Sequence, residues 1–342
     1  MVSLNFMQHY DRSALFQSFS RTGIDQTASL PTYLVFIDSV LRGLGQVMLQ
    51  NNSYTGLLFL AGIFYNSFLL GCAAVLGATT STFTAVILGG KHTDIRAGLF
   101  GFNGALTAIA LLYFLEPLWI TWSYVIFASV CGSIIMASML TSMNTWKLPT
   151  LTAPFVLTTL LFILACARFG QLHSTGLLPT AGLPSAHIEI EGIVTITTVL
   201  HGTLNGIAQV FFQENIITGL IFLLGLLISS RTAFLAALFG SLLGICIAWG
   251  MGAAEPAIRA GAFGFNNVLT AIVFFGGLFM LNYSSAVYGA LAVVVTSFIY
   301  AALSATLEPL GMPAMTSAFI VTVWLFILAA PHFSRVRLNN SL

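Results

Sequence analysis

Charge is what this sequence has least of. Lys, Arg, Asp and Glu together make up 6% of its 342 residues, against about a quarter in a soluble domain. So few charges cannot cover a globule in water. With 11 basic and 10 acidic residues the formal net charge is +1, which supplies neither a basic surface for nucleic acid nor an acidic one. Cysteine is as sparse: Cys72, Cys131, Cys166 and Cys246 stand singly in apolar runs without a C-x-x-C, a pattern of membrane packing rather than of redox or metal chemistry. His9, His92, His173, His187 and His332 fall in termini and loops, which argues against paired haem ligands; His201 lies closer to a short polar segment, where a lone His is usually a hydrogen-bonded structural group. No nucleophile constellation, metal set or phosphate-cradling glycine loop is present, so neither an enzyme nor a cofactor is expected. Residues 1–30 carry Asp11, Arg12, Arg21 and Asp25 and no compact apolar core behind a basic start, so the first span is expected to direct insertion itself.

What the sequence has is apolar length. Hydrophobic residues make up 58% and the mean hydropathy is +0.96. Spans of about 20 apolar residues recur from Tyr33 to Pro331, the pattern of an all-α polytopic membrane protein. The 31 Gly suit close helix contacts and the 29 Phe bulky apolar walls.

The chain also repeats itself. QVMLQNN from Gln46 answers QVFFQEN from Gln209, and TGLLFLAG from Thr55 answers TGLIFLLG from Thr218, both at an offset of 163. At that offset Arg96–Ile109 and Arg259–Ile272 differ only at Leu99/Ala262, Gly104/Asn267 and Ala105/Val268. One residue further, at 164, LPTLTAPF (148–155) answers MPAMTSAF (312–319). This gives a repeat A over 33–169 and a repeat B over 197–331, joined by a polar external linker over 170–196, with cytoplasmic segments at 1–32 and 332–342. Repeat A reads as a short dipping piece over 38–50 followed by apolar runs near 55–77, 80–90, 97–115, 119–143 and 148–168. Five crossings plus one re-entrant half-helix per repeat make the second repeat inverted relative to the first. With the N-terminus inside, Arg12, Arg21, Lys91, Arg96, Lys147, Arg231, Arg335 and Arg337 fall inside and Arg168 and Arg259 outside, in agreement with the positive-inside rule.

Within the membrane the sequence offers polar but neutral groups. Glu116, Glu255 and Glu308 each precede a proline at the end of an apolar run and read as interfacial caps or turns, with ion coupling as the alternative. Asp38 and Arg42, one turn apart, can pair. Gln46 and Gln209 stand at equivalent positions opening the two short segments. Thr152 and Thr316 stand just past Pro149 and Pro313, where a hydroxyl either returns to its own helix or faces a cavity lined by the backbone groups that a broken helix leaves free. Phe102 and Leu106, like Phe265 and Leu269, are four apart and share a helix face, as packing or as the wall of an apolar slot. A flat neutral solute with many donors fits such a slot. Stripping one amide-like group of water costs about 4–8 kcal/mol in hydrocarbon, so replacement acceptors are required. An ion would want charges or a full ring of carbonyls.

At these residues the sequence resembles the urea transporter family, whose repeated L-P-x-x-T-x-P-F signature stands in full as Leu148, Pro149, Thr152, Pro154 and Phe155. The second copy keeps Pro313, Thr316 and Phe319 but has Met312 and Ala318 for Leu and the second Pro. The resemblance, over about Leu30 to Pro331, implies two inverted five-helix repeats with two re-entrant half-helices, a pore in each subunit of a homotrimer, and passive, channel-like movement of urea. It implies Thr152 and Thr316 at the narrow middle of the pore and Gln46 and Gln209 opening the two pore half-helices. It further implies apolar clamps of Val47, Leu49, Phe102 and Leu106 on one side and Val210, Phe212, Phe265 and Leu269 on the other. The expected partners are urea and membrane lipid. The alternatives are an ion- or proton-coupled carrier or a channel for another small amide, ammonia or water, and, from another class, a membrane scaffold or sensor. The compact length suggests a bacterial inner membrane.

Overall fold

In lipid a backbone must satisfy its own polar groups, and apolar runs therefore fold as helices. The computed structural model describes residues 32–180, 192–280, 282–337 and 339, and every regular element among them is helical. The N-terminal segment up to residue 31 and linker residues 181–191 lie outside the described residues. The first half comprises α1 (Thr32–Gln46), α2 (Ser53–Asn66), α3 (Phe68–Ile87), α4 (His92–Arg96), α5 (Gly101–Phe114), α6 (Trp119–Trp146) and α7 (Ala153–Cys166). The second comprises α8 (Ile196–Ala208), α9 (Ile216–Ser229), α10 (Arg231–Gly250), α11 (Glu255–Arg259), α12 (Phe265–Val273), α13 (Tyr283–Leu307) and α14 (Ser317–Ala329).

The bounds of α2, α3 and α4 recur in α9, α10 and α11 at an offset of 163, and the starts of α6 and α7 recur in α13 and α14 at 164. The structure locates the extra residue. The Thr175 N–H donates to Phe114 O at 2.9 Å, as Asn339 N–H does to Leu278 O at 3.0 Å, and this bond is already at the longer offset. The change therefore falls between Ile272 and Leu278, where α12 runs into a π turn, Phe274–Leu278, with Gly277 at φ 127°. A π turn accommodates one additional residue without ending a helix.

The division of the first apolar stretch differs from the sequence expectation. Instead of runs over 55–77 and 80–90, the chain breaks at Ser67, which is extended (φ −148°, ψ 111°) and whose hydroxyl accepts from the Leu70 N–H. Ser230 repeats this at the head of α10, accepting from the Ala233 N–H. The only sequence signs of these breaks are short polar interruptions, Asn66-Ser67 in the first half and Ser229-Ser230-Arg231-Thr232 in the second, too brief to shift the apolar periodicity. The consequence of the first break is that α2, with 14 residues, is about 21 Å long and falls short of a hydrocarbon core of roughly 30 Å. Taken singly, α3, α6, α10 and α13 are long and apolar enough to cross, while α8 and α9 pass only as a pair bent by 71°. The chain is a multi-pass membrane protein in which crossings and half-length helices are interleaved.

Helices in lipid gain little from burying apolar surface and associate instead through close approach and hydrogen bonds. Gly98 (φ 76°) and Gly261 (φ 81°) turn the chain so tightly against α1 and α8 that a Cβ on either would lie 2.3 Å and 2.2 Å from the backbone N of Gly43 and Gly206. No other residue fits there. Between the halves, α2 and α9 cross antiparallel. Thr55 Oγ1 donates to Gly225 O at 2.8 Å and Thr218 Oγ1 to Gly62 O at 3.0 Å, a reciprocal exchange, with the Phe59 and Phe222 rings edge-on at 5.1 Å between them.

Candidate functional site

The two copies of the proline-threonine signature meet. Leu151 (φ 50°) and Met315 (φ 46°) are buried in the left-handed region, a conformation that costs a branched or long side chain roughly 1–2 kcal/mol and that survives only where surroundings enforce it. Each delivers a threonine to the N-cap position of a half-length helix, α7 or α14. Neither hydroxyl caps its own helix or returns to a carbonyl there. Thr152 Oγ1 and Thr316 Oγ1 lie 2.7 Å apart, buried and hydrogen-bonded to each other across the two halves. The alternative that these threonines serve their own helices is thereby excluded, whereas Thr158 does back-bond, donating to Pro154 O at 2.7 Å.

Gln46 and Gln209 are equivalent, as expected, but they close their half-helices rather than open them. Gln46 is the last residue of α1, and Gln209 follows α8 at the start of a single 3₁₀ turn. The reason is the reversal just beyond, where Leu49 (φ 61°) and Phe212 (φ 58°) terminate the helices by turning left-handed. The amide of Gln46 donates to Ala97 O at 2.9 Å and that of Gln209 to Ala260 O at 3.2 Å, so both side chains hold the glycine turn they face. Gln46 Oε1 is buried without a hydrogen-bond partner and is an acceptor to spare. In both copies the next glutamine ties down the reversal, Gln50 donating to Met48 O at 2.9 Å and Gln213 to Phe211 O at 2.7 Å.

The two sets of clamp residues are in different surroundings. Val47, Leu49, Phe102 and Leu106 are buried in the main apolar core, as are Val210 and Leu269. Phe212 and Phe265 are only half-buried, because they face a cavity of about 220 Å³ that also reaches Gln209, Val210 and Thr316. Around Phe212 stand Tyr113 (5.4 Å between centroids) and Phe114 (6.0 Å), and Tyr300 meets Phe265 edge-on at 5.6 Å. The cavity is thus walled by rings and edged by Gln209 and by Thr316, one member of the threonine pair. Leu269 and the four first-half clamp residues do not line it. It further includes Tyr113, Tyr300 and Ser304, which sequence reasoning passed over, and Glu308, which it read as a cap or turn. Tyr300, Ser304 and Glu308 are spaced four apart along α13 and its extension, a polar stripe on an apolar helix that could have flagged them.

The acidic residues read as caps or turns occupy such places. Glu116 is exposed in the turn between α5 and α6, its N–H donating to His173 O at 2.9 Å. Glu255 opens α11 and accepts from Arg259 Nε at 2.8 Å and Thr198 Oγ1 at 2.8 Å; the Arg259 hydrogen bond, followed by that of Thr198, lowers its pKa from the ordinary 4.5. Glu308 is exposed at the cavity mouth. Asp38 and Arg42 pair as expected, at 2.6 Å, and Arg42 Nη1 also donates to Asn51 Oδ1 at 2.9 Å, anchoring the loop after Gln46. Arg42 is the sole charged side chain among the buried described residues.

With this geometry in hand, comparison with known proteins is specific. The family model described as urea transporter matches residues 37–331. Urea transporter 1 of Rattus norvegicus is 29% identical over 321 residues, covering 91% of this chain and 82% of that protein. Urea transporter 1 of Ovis aries is 30% identical over 305 residues, covering 87% and 78%, and that of Mus musculus is 28% identical over 321 residues, covering 91% and 82%. These relatives are mammalian and lend nothing to the bacterial placement expected from length. A match from α1 to the end of α14, carrying both copies of the signature, means that the chain belongs to the urea transporter family, a family of transporters and not of enzymes.

Proposed function

We propose that the chain conducts urea passively, as a channel, along a path that runs from the mouth at Gln209 past the Thr152–Thr316 pair to the mouth at Gln46. The observation that carries this reading is the threonine pair itself: two neutral hydroxyls, buried and paired at 2.7 Å, one of which, Thr316, lines a ring-walled cavity of about 220 Å³. Ring faces hold the planar solute, while Gln, Thr and backbone acceptors replace the water stripped from its amides. An ion would have to shed hydration worth far more than an amide's with no counter-charge at the threonines. A neutral path thus selects a neutral cargo.

The inverted relation of repeats A (33–169) and B (197–331) belongs to this proposal. It is supported by the reciprocal Thr55–Gly225 and Thr218–Gly62 bonds between antiparallel α2 and α9, the contact two units make about a two-fold axis in the membrane plane. The external linker, the cytoplasmic termini and the homotrimer with one pore per subunit, implied by the family resemblance and the distribution of Lys and Arg, complete it. Stopped-flow light scattering on proteoliposomes tests the function. The protein is expected to raise urea permeability without an ion gradient, and permeability equal to that of empty vesicles would refute it.

A further inference from the structure

The two mouths differ in charge. Glu214 follows the reversal after α8, and Glu308 follows α13. The equivalent residues in the first half are the neutral Asn51 (offset 163) and Asn144 (offset 164). Conversely, Arg42 and Lys147 of the first half stand where the second has Asn205 and Gly311. A duplicated frame has therefore placed two carboxylates at one end of the path, while the other end has Lys147 and an Arg42 whose charge Asp38 takes up. Both carboxylates are exposed and neither is taken up by an ion pair among the described residues. Glu308 lines the cavity one and two helix turns from Ser304 and Tyr300, and Glu214 lies two residues beyond Phe212, which also lines it. Tyr300 and Tyr113 are both cavity walls.

We propose that the cavity between Glu308 and Phe212 is a binding site for planar diamino cations of the guanidinium or amidinium type, which occupy the outer part of the path and block it. This assignment rests on the urea reading of the same cavity. Guanidinium has the trigonal shape of urea and so fits between the same rings, whose faces attract a cation. It presents pairs of parallel N–H donors that match a carboxylate. What it cannot do is leave its charge behind: beyond Gln209 the path holds only neutral Val210, Phe265 and Thr316, and an unpaired charge at that depth is far costlier than a neutral amide. The cation is held at the mouth while urea goes on. Asn51 and Asn144 give the opposite mouth no such hold, so the site has a side, the one on which Leu177 and Pro179 of the linker border the cavity.

The test is calorimetric titration of guanidinium chloride into the purified full-length protein, with sodium chloride as control, together with urea flux from proteoliposomes given guanidinium on one side at a time. The wild type is expected to bind guanidinium, with affinity falling as ionic strength rises from about 20 to about 300 mM and screening shortens the reach of the carboxylates. Glu308→Gln is expected to weaken binding roughly tenfold, and the double variant Glu214→Gln/Glu308→Gln further, with unchanged melting temperatures as the check on folding. Urea flux is expected to be inhibited from the linker side alone. Guanidinium affinity equal in wild type and double variant, or insensitive to salt in the wild type should the variants not fold, overturns the proposal. Carboxylate-dependent binding without any urea flux leaves this site standing and removes the urea reading; urea flux without guanidinium binding does the reverse.

Discussion

At the scale of single residues, the threonines carry the most consequence. Each hydroxyl has the other as its partner, so Thr152→Val, a near-isosteric change, removes one bond and leaves the Thr316 hydroxyl buried and unpaired. Orphaning a buried hydroxyl costs about 1–3 kcal/mol. If the same group stabilises urea in transit, flux is expected to fall by roughly tenfold in protein that still folds, a change stopped-flow urea efflux would resolve; undiminished flux would remove Thr152 from the path. The residue types were legible in the sequence because two copies of one signature mark the same positions. Their mutual bond was not, since it joins residues 164 apart and no spacing rule reaches that far. Gln46 and Gln209 make the same point in reverse: their equivalence was readable, but which end of a helix they occupy depended on left-handed turns at Leu49 and Phe212, residue types that do not announce a positive φ.

At the scale of elements, breaks matter more than helices. Ser67 and Ser230 divide long apolar runs at short polar interruptions, and the π turn after α12 absorbs the residue that shifts the repeat from 163 to 164. A shift in offset was visible in the sequence, yet its location was not, because an insertion leaves no signature while the flanking residues stay apolar. Short α11 shows how a local pair holds an element junction. Glu255 joins Arg259 on its own helix to Thr198 on α8, and its lowered pKa means the folded protein binds this proton less readily than the unfolded chain. The contribution to stability is therefore present above the ordinary value of 4.5 and is lost as the pH falls through the lowered one. Glu255→Gln is expected to melt earlier than wild type at neutral pH, with the difference closing as the pH is taken below 4 or so, as followed by thermal unfolding in detergent; a gap that persists in acid would show that the carboxylate charge is not what holds the junction.

At the scale of the whole molecule, the halves agree in backbone and disagree in side chains, and the disagreements are where a specific function is written. Asn66 Nδ2 donates to Gln213 Oε1 at 2.9 Å across the halves. The equivalent pair is Ser229 and Gln50, and there both Ser229 Oγ and Gln50 Oε1 are buried without partners, because serine is too short to repeat the bond. Ser229→Asn is expected to restore it and stabilise the protein by about 0.5–1.5 kcal/mol, the net worth of one hydrogen bond, read as a raised melting temperature; a lowered one would mean that the gap at Ser229 is already filled. The same comparison distinguishes the mouths, with Glu214 and Glu308 on one and Asn51 and Asn144 on the other, and only the first opens on the described cavity. What the sequence determined alone was the solvent, the duplication and the neutrality of the polar set, because composition, self-similarity and charge are properties of residue types and do not depend on where the chain goes. What the tertiary structure alone decided was which neutral groups meet: the pairing of Thr152 with Thr316, the closing position of the glutamines, and the cavity that brings Glu308, Tyr300 and Tyr113 to Phe212. Those depend on left-handed turns, glycine crossings and contacts between the two halves of the chain, and each is fixed by packing in three dimensions rather than by any pattern along one.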